Sequence, residues 1–135
     1  MSKFGCICGH VIVDQTDSLP YKAGLLRDQK EETFWDGFLG KIKDFLVAAE
    51  PRDIAALIAS ADGEPAPQTK AADNLVDQLG SIQVREFSTA YECEGCGRLW
   101  LEKYAGADFI SYLPEGGEYN AILSIAAGES DKRSG

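Results

Sequence analysis

A single histidine, His10, is the whole imidazole supply of this 135-residue chain. That leaves little material for general acid–base catalysis, in which histidine is the commonest participant. There is no Gly-rich phosphate loop, no His-Glu-x-x-His and no nucleophile elbow. No apolar run approaches the roughly 20 residues needed to span a bilayer. Residues 1–5 also lack the apolar core of a secretory signal, so a soluble, cytoplasmic protein is expected. Bases are scarce: 13 Lys and Arg stand against 22 Asp and Glu, for a net charge of −9. Phosphate binding is driven by clusters of Lys and Arg, so this balance argues against a nucleic-acid binder. The chain has no internal repeat and no low-complexity tract. From these absences the chain is expected not to be an enzyme.

Four cysteines are present, in two close pairs: Cys6-Ile7-Cys8-Gly9-His10 and Cys93-Glu94-Gly95-Cys96-Gly97-Arg98. Thiolates two or three residues apart can reach one ion from a tight turn, and structural zinc favours four such ligands. Cys6, Cys8, Cys93 and Cys96 are therefore the candidate ligands of one structural Zn2+ per chain. Gly95 and Gly97 free the backbone N–H groups to turn toward the sulfurs. A pair of disulfides, a thiol–disulfide switch and unligated thiols are the other readings. Disulfides fit a reducing compartment poorly, and a Cys-x-Cys bridge needs a small, strained ring. His10 is a fifth candidate ligand, but beside four thiolates it reads better as a strand residue or as a hydrogen-bond donor to a ligand. A catalytic zinc keeps an open position, and four thiolates leave none. The zinc-deaminase pattern needs a Glu beside its first ligand, which His10-Val11-Ile12 lacks.

Three zones follow along the chain. Residues 3–26 read as short strands around the first cysteine pair, including His10-Val11-Ile12-Val13, with a polar loop closed by Pro20. Asp14 and Asp17 are turn residues in this reading rather than ion ligands. Residues 28–80 switch to a helical period. Phe34, Phe38, Ile42 and Phe45 mark a helix over 28–49, with Trp35, Leu39 and Leu46 widening its stripe. Gly37 and Gly40 weaken it by roughly 1 kcal/mol each, which suggests a close backbone neighbour. A second helix follows Pro51 and carries Ile54, Leu57, Ile58 and Ala61. After a linker at residues 64–67, Ala72, Leu75, Val76 and Leu79 make a third, ending at Gly80. Residues 82–126 return to strands: Ile82-Gln83-Val84, then 87–92, Leu99-Trp100-Leu101 and 109–113, with a last strand or short helix over 121–126. Residues 128–135 are polar and read as a flexible tail. Trp35 and Trp100 are both expected to be buried, or one of them to anchor an interface.

The expected fold is α+β: a single domain in which a zinc-stapled antiparallel β-sheet, from residues 1–27 and 81–127, carries a three-helix insertion at 28–80. That insertion holds 11 acids and 5 bases, a net −6. It is either a solubilising surface or a face that steers basic partners.

The Cys-x-x-Cys-Gly knuckle between two strands resembles half of a zinc-ribbon or rubredoxin-type site. The first pair departs from that pattern by one residue, and Cys8 and Cys93 lie 85 residues apart. The resemblance implies a metal centre and admits an iron-bearing, rubredoxin-like electron carrier. A Cys-x-Cys joined to a Cys-x-x-Cys is also similar in ligand spacing to the zinc switch of heat-shock-33-type chaperones, which implies metal release on oxidation. Size and charge together suit an acidic immunity- or antitoxin-type inhibitor, so the expected partner is a basic protein, with no nucleic acid and no membrane. Which partner, and in what oligomeric state, the sequence leaves open.

Overall fold

The structure, a computed structural model, describes residues 2–65 and 67–125. The fold is α+β, with two antiparallel sheets drawn from both ends of the chain and three helices in its middle. Contacts divide it into two compact units: residues 1–25 with 87–135, and residues 26–86. Among the described residues no helix is long and apolar enough to cross a membrane.

The β unit pairs β1 (Ser2–Gly5) with β2 (Val11–Asp14) as a hairpin, in the register Phe4 to Ile12 and Gly5 to Val11. A four-stranded sheet runs β3 (Lys22–Leu25), β4 (Ser88–Glu92), β5 (Leu99–Glu102) and β6 (Phe109–Tyr112), so the chain's two ends meet where β3 joins β4. Side chains alternate across a strand, and this register sets Tyr91, Trp100 and Ser111 side by side on one face. Phe4 of the hairpin packs edge-on against Trp100 at 4.8 Å and lies 5.1 Å from Phe109. Ile12, Tyr91, Trp100, Cys6 and Cys93 form the buried cluster, so the two cysteine turns are continuous with the hydrophobic core. Polar contacts tie the rim. The Tyr21 hydroxyl donates to the Val13 carbonyl, and the Tyr91 hydroxyl donates to Asp14 at 2.5 Å. Lys22 pairs with the same carboxylate at 2.7 Å.

The helical unit holds α1 (Asp28–Ala48), α2 (Pro51–Asp62) and α3 (Lys70–Glu86), with α3 packed against both others. Phe45, Ala56, Ala72 and Leu75 are its buried cluster. The ends are set by local chemistry. Asp53 accepts from the Glu50 N–H at 3.0 Å, Pro51 opens α2, and Gly63 closes it in the left-handed region at φ 71°. Thr69 caps α3 by accepting from the Ala72 N–H at 3.2 Å.

Several expectations need correction. Ile82, Gln83 and Val84 are helical, because α3 runs through Gly80 to Glu86. A glycine costs a helix only about 1 kcal/mol, and burial of Ile82 at the next turn of the Ala72–Leu75–Leu79 stripe offsets it. Trp100 is buried, but Trp35 is 47 % exposed, and Leu39 and Leu46 are exposed with it. Phe34 and Phe45 are the buried residues of α1, which packs against α3. In α2 the buried residues are Asp53 and Ala56, while Ile58 is exposed and Ile54 only partly covered. No backbone crowds α1 at its glycines: Gly37 faces only the Ile82 side chain, and Gly40 has open space. The strands form two sheets rather than one. Residues 121–125 form neither strand nor helix, and residues 126–135, including the expected tail, lie outside those described.

Lys22, then the Tyr91 hydroxyl, hold the Asp14 carboxyl below the ordinary carboxylate range, against the opposing effect of burial. Burial and Asp14 in turn push the Tyr91 hydroxyl up to about 12. A carboxyl depressed on folding contributes stability that is full above its unfolded value of about 3.9 and is lost as pH falls through the folded value. Asp14→Asn should therefore unfold at lower denaturant than the parent near neutral pH, by about 1 kcal/mol. The gap should close as pH drops below about 4. A constant gap across pH would remove this account.

Candidate metal centre

Both cysteine pairs sit in turns built the same way. In the first, the Cys6 N–H donates to the His10 carbonyl at 2.9 Å and the Gly9 N–H donates to the Cys6 carbonyl at 3.0 Å. In the second, the Cys93 N–H donates to the Arg98 carbonyl and the Gly97 N–H to the Cys93 carbonyl, both at 2.8 Å. Gly9 and Gly97 occupy the left-handed region, with φ of 98° and 81°, where residues with a Cβ are strained. Cys-x-Cys-Gly is thus a one-residue-shorter version of the Cys-x-x-Cys-Gly turn, with its hydrogen bonds preserved. The hairpin β1–β2 presents the first turn, and the β4–β5 connection presents the second.

The two turns bring all four sulfurs within 4.8 Å of one another. Cys6 Sγ lies 3.6 Å from Cys96 Sγ, and Cys8 Sγ lies 3.6 Å from Cys93 Sγ, so both contacts cross between the turns. Four sulfurs each about 2.3 Å from one tetrahedral ion would stand about 3.8 Å apart, and the donor set fits that requirement. His10 is not part of the cluster. It contributes its carbonyl to the first turn, and its Cβ lies over Gly95. Any side chain at position 95 would meet it at 3.0 Å and the Cys8 sulfur at 3.2 Å.

Hydrogen-bond donors converge on the sulfurs. The Gly95 N–H reaches Cys93 Sγ at 3.3 Å, and the Arg98 guanidinium reaches Cys96 Sγ at 3.4 Å. Burial opposes ionisation of Cys6, but the Cys8 N–H, the Trp100 indole and the neighbouring thiols outweigh it and lower this thiol to about 6. Among the described residues the Trp100 indole N–H has no partner of hydrogen-bond geometry, and the Cys6 sulfur is the acceptor it bears on. Cys93 is fully buried, and that burial pushes its thiol up to about 12 despite the N–H groups of Cys96 and Gly95. A cluster with one thiol favouring the anion and another opposing it is what a bound cation would level.

Two features of the centre escaped sequence reasoning, the burial of Glu92 with its backbone partners and the segment that passes over Gly97. Glu92, beside Cys93, is only 1 % exposed, and its carboxylate accepts from the N–H groups of Asn120 at 3.1 Å and Ile122 at 2.9 Å. Ala121, between them, has a φ of 53°, and successive N–H groups in such a bend form a concavity for an anion. Glu118 in the same segment lies directly over Gly97, so closely that an added Cβ would overlap its carbonyl. Gly97 therefore needs both its positive φ and its lack of a side chain. The preceding-residue position of Glu92 carries no such signal, because its partners are backbone groups about 30 residues away.

Gly97→Ala should lower the stability of the β unit by at least about 2 kcal/mol, through left-handed strain and the overlap with Glu118. Gly116→Ala, where space is open, is the control and should sit within about 0.5 kcal/mol of the parent. Equal thermal midpoints for the two variants would contradict this packing.

Neither the curated proteins nor the solved structures contain a match to this chain. One family model does match, over residues 2–116, which takes in both cysteine turns and every strand and helix named above. The chain belongs to that family, a domain of unknown function, DUF8617.

Proposed function

We propose that this protein is a non-enzymatic protein-interaction module whose β unit is stapled by one structural Zn2+ on Cys6, Cys8, Cys93 and Cys96. The observation that carries the metal is the convergence of four sulfurs, from turns 85 and 90 residues apart, within 4.8 Å. Four thiolates fill a tetrahedral ion and leave no position for substrate. By analogy with a disulfide, a cross-link closing such a loop removes roughly 4–5 kcal/mol of unfolded-state freedom, a sufficient role without catalysis.

The acidic helical segment supports the interaction reading. Trp35, Leu39 and Leu46 are exposed on α1, with Asp28, Glu31, Glu32 and Asp36 on the same helix. An aromatic anchor among carboxylates suits a basic partner, and an acidic inhibitor of the immunity or antitoxin kind is the class it fits. A redox-responsive zinc–thiolate centre is the second reading, favoured by the exposure of Cys8.

Metal analysis of the natively purified chain should give one zinc per chain, with Cys6, Cys93 and Cys96 shielded until a chelator is added and the β unit then destabilised. A red, iron-containing protein with a reversible one-electron couple would replace zinc by a rubredoxin-like centre, and four freely reactive thiols without metal would end the staple. For the partner, a basic protein should co-purify at about 0.1 M salt and dissociate near 1 M, where the screening length falls from about 10 Å to about 3 Å. Trp35→Ala should weaken that capture while the chain stays folded by far-ultraviolet dichroism. Capture that ignores both salt and Trp35 would count against the acidic face.

A further inference from the structure

The four sulfurs are unequal in access and are paired across the turns. Cys8 is exposed, Cys96 half-buried, and Cys6 and Cys93 buried. The sulfur in contact with the exposed Cys8 is the fully buried Cys93, 3.6 Å away on the opposite turn, and the second contact joins Cys6 to Cys96 at the same distance. We infer that Cys8 is a modification site at which a hydroperoxide oxidises this centre, with Cys93 as its resolving thiol, so that oxidation exchanges a metal staple for a disulfide staple of the same topology. The inference deepens the second reading above and rests on the cluster acting as a thiolate centre.

The chemistry balances. The Cys8 thiolate attacks the O–O bond of the hydroperoxide. An S–O bond forms, the O–O bond breaks, and hydroxide or alkoxide leaves and takes up a proton, giving Cys8 sulfenic acid. The Cys93 sulfur then attacks the Cys8 sulfur, giving up its proton or its bond to the metal. The S–S bond forms as the S–O bond breaks, and the departing hydroxide is protonated to water. Two thiolates together lose two electrons, and the peroxide gains them. Two of four donors are then gone from the metal-binding set. A second equivalent can join Cys6 to Cys96 in the same way.

Attack begins at Cys8 because it is the exposed sulfur of the four, the one an oxidant can reach. A bridge within the first turn would close the strained ring of a Cys-x-Cys. The bridge between the turns requires only that sulfurs already in contact close by somewhat more than 1 Å, since a disulfide is about 2.05 Å long. Because the Cys8–Cys93 bridge spans the same 85 residues as the metal cross-link, the β unit should stay closed when the metal leaves. Such a centre would report oxidant by releasing its ion rather than by unfolding.

The test uses the full chain with its zinc content measured beforehand. It is treated with one equivalent of hydrogen peroxide, its free thiols are blocked, and its peptides are mapped by mass spectrometry. Cys8–Cys93 is expected as the first bridge, with zinc appearing in a colorimetric chelator and far-ultraviolet dichroism unchanged. Cys8→Ser should react at least about tenfold more slowly. Should that variant fold poorly, timed alkylation of the unaltered protein gives the same information, and Cys8 should be labelled first. A first bridge joining Cys93 to Cys96, oxidation that leaves Cys8 intact, or equal labelling of all four thiols would overturn the inference. If the purified chain carries no metal yet still forms Cys8–Cys93 first, the metal reading fails and the assignment of the two thiols stands.

Discussion

The β unit depends on holding two tight turns against each other when about 85 residues of chain separate them. Left to hydrophobic packing alone, the hairpin of residues 2–14 has a small interface: Phe4 and Ile12 on the aromatic face of the sheet. Two-stranded hairpins are marginal in water without further support. Closing so long a loop also costs entropy that local contacts must offset. Placing two sulfurs on each turn changes this, since a cation held between them would cross-link the N-terminal hairpin to the β4–β5 turn at one point. Cys6 and Cys93 belong to the hydrophobic cluster, so the centre and the core stabilise each other.

Crowding four sulfurs also creates an electrostatic problem, and the surroundings are arranged to meet it. Four thiolates carry four negative charges, of which a divalent ion cancels two. The Gly95 and Cys96 N–H groups at Cys93, the Cys8 N–H and Trp100 indole at Cys6, and Arg98 at Cys96 supply partial and full positive charge to the rest. Donors of this kind around a ligand set both orient it and tune its charge. They also explain why glycine recurs in both turns, because only an unhindered backbone can aim its N–H groups inward while folding back so tightly.

Much of this was legible in the sequence. Cysteine count and spacing led to the cluster of four, and hydrophobic period led to the helices of the middle segment, where Pro51 opens a helix that the structure keeps. Failures came where a local rule met a tertiary contact. Gly80 looked like a helix stop, but Ile82 had a place to bury on the same stripe, and burial outweighs a modest propensity cost. Trp35 looked like core because it widens the apolar stripe of Phe34, Phe38, Ile42 and Phe45. Yet one turn of helix points successive residues in different directions, and in α1 it is Phe34 and Phe45 that are buried.

Glu92 and Glu94 show where such reading ends. Both are glutamates one residue from Cys93, and local electrostatics treats them alike, as negative charges that disfavour the thiolates. Their fates differ because Glu92 lies in β4 and faces inward, while Glu94 projects from the tip of the turn into solvent. A carboxylate that is taken out of water must find donors or it destabilises the fold. Glu92 takes its donors from the Asn120 and Ile122 backbone, which bends through a positive φ at Ala121 to deliver them. That bend carries Glu118 onto Gly97, and so a buried charge on one side of the metal turn dictates glycine on the other. The Gly in Cys-x-x-Cys-Gly thus answers to two demands at once, the turn's handedness and the segment that Glu92 holds down. Only the first is written in the motif.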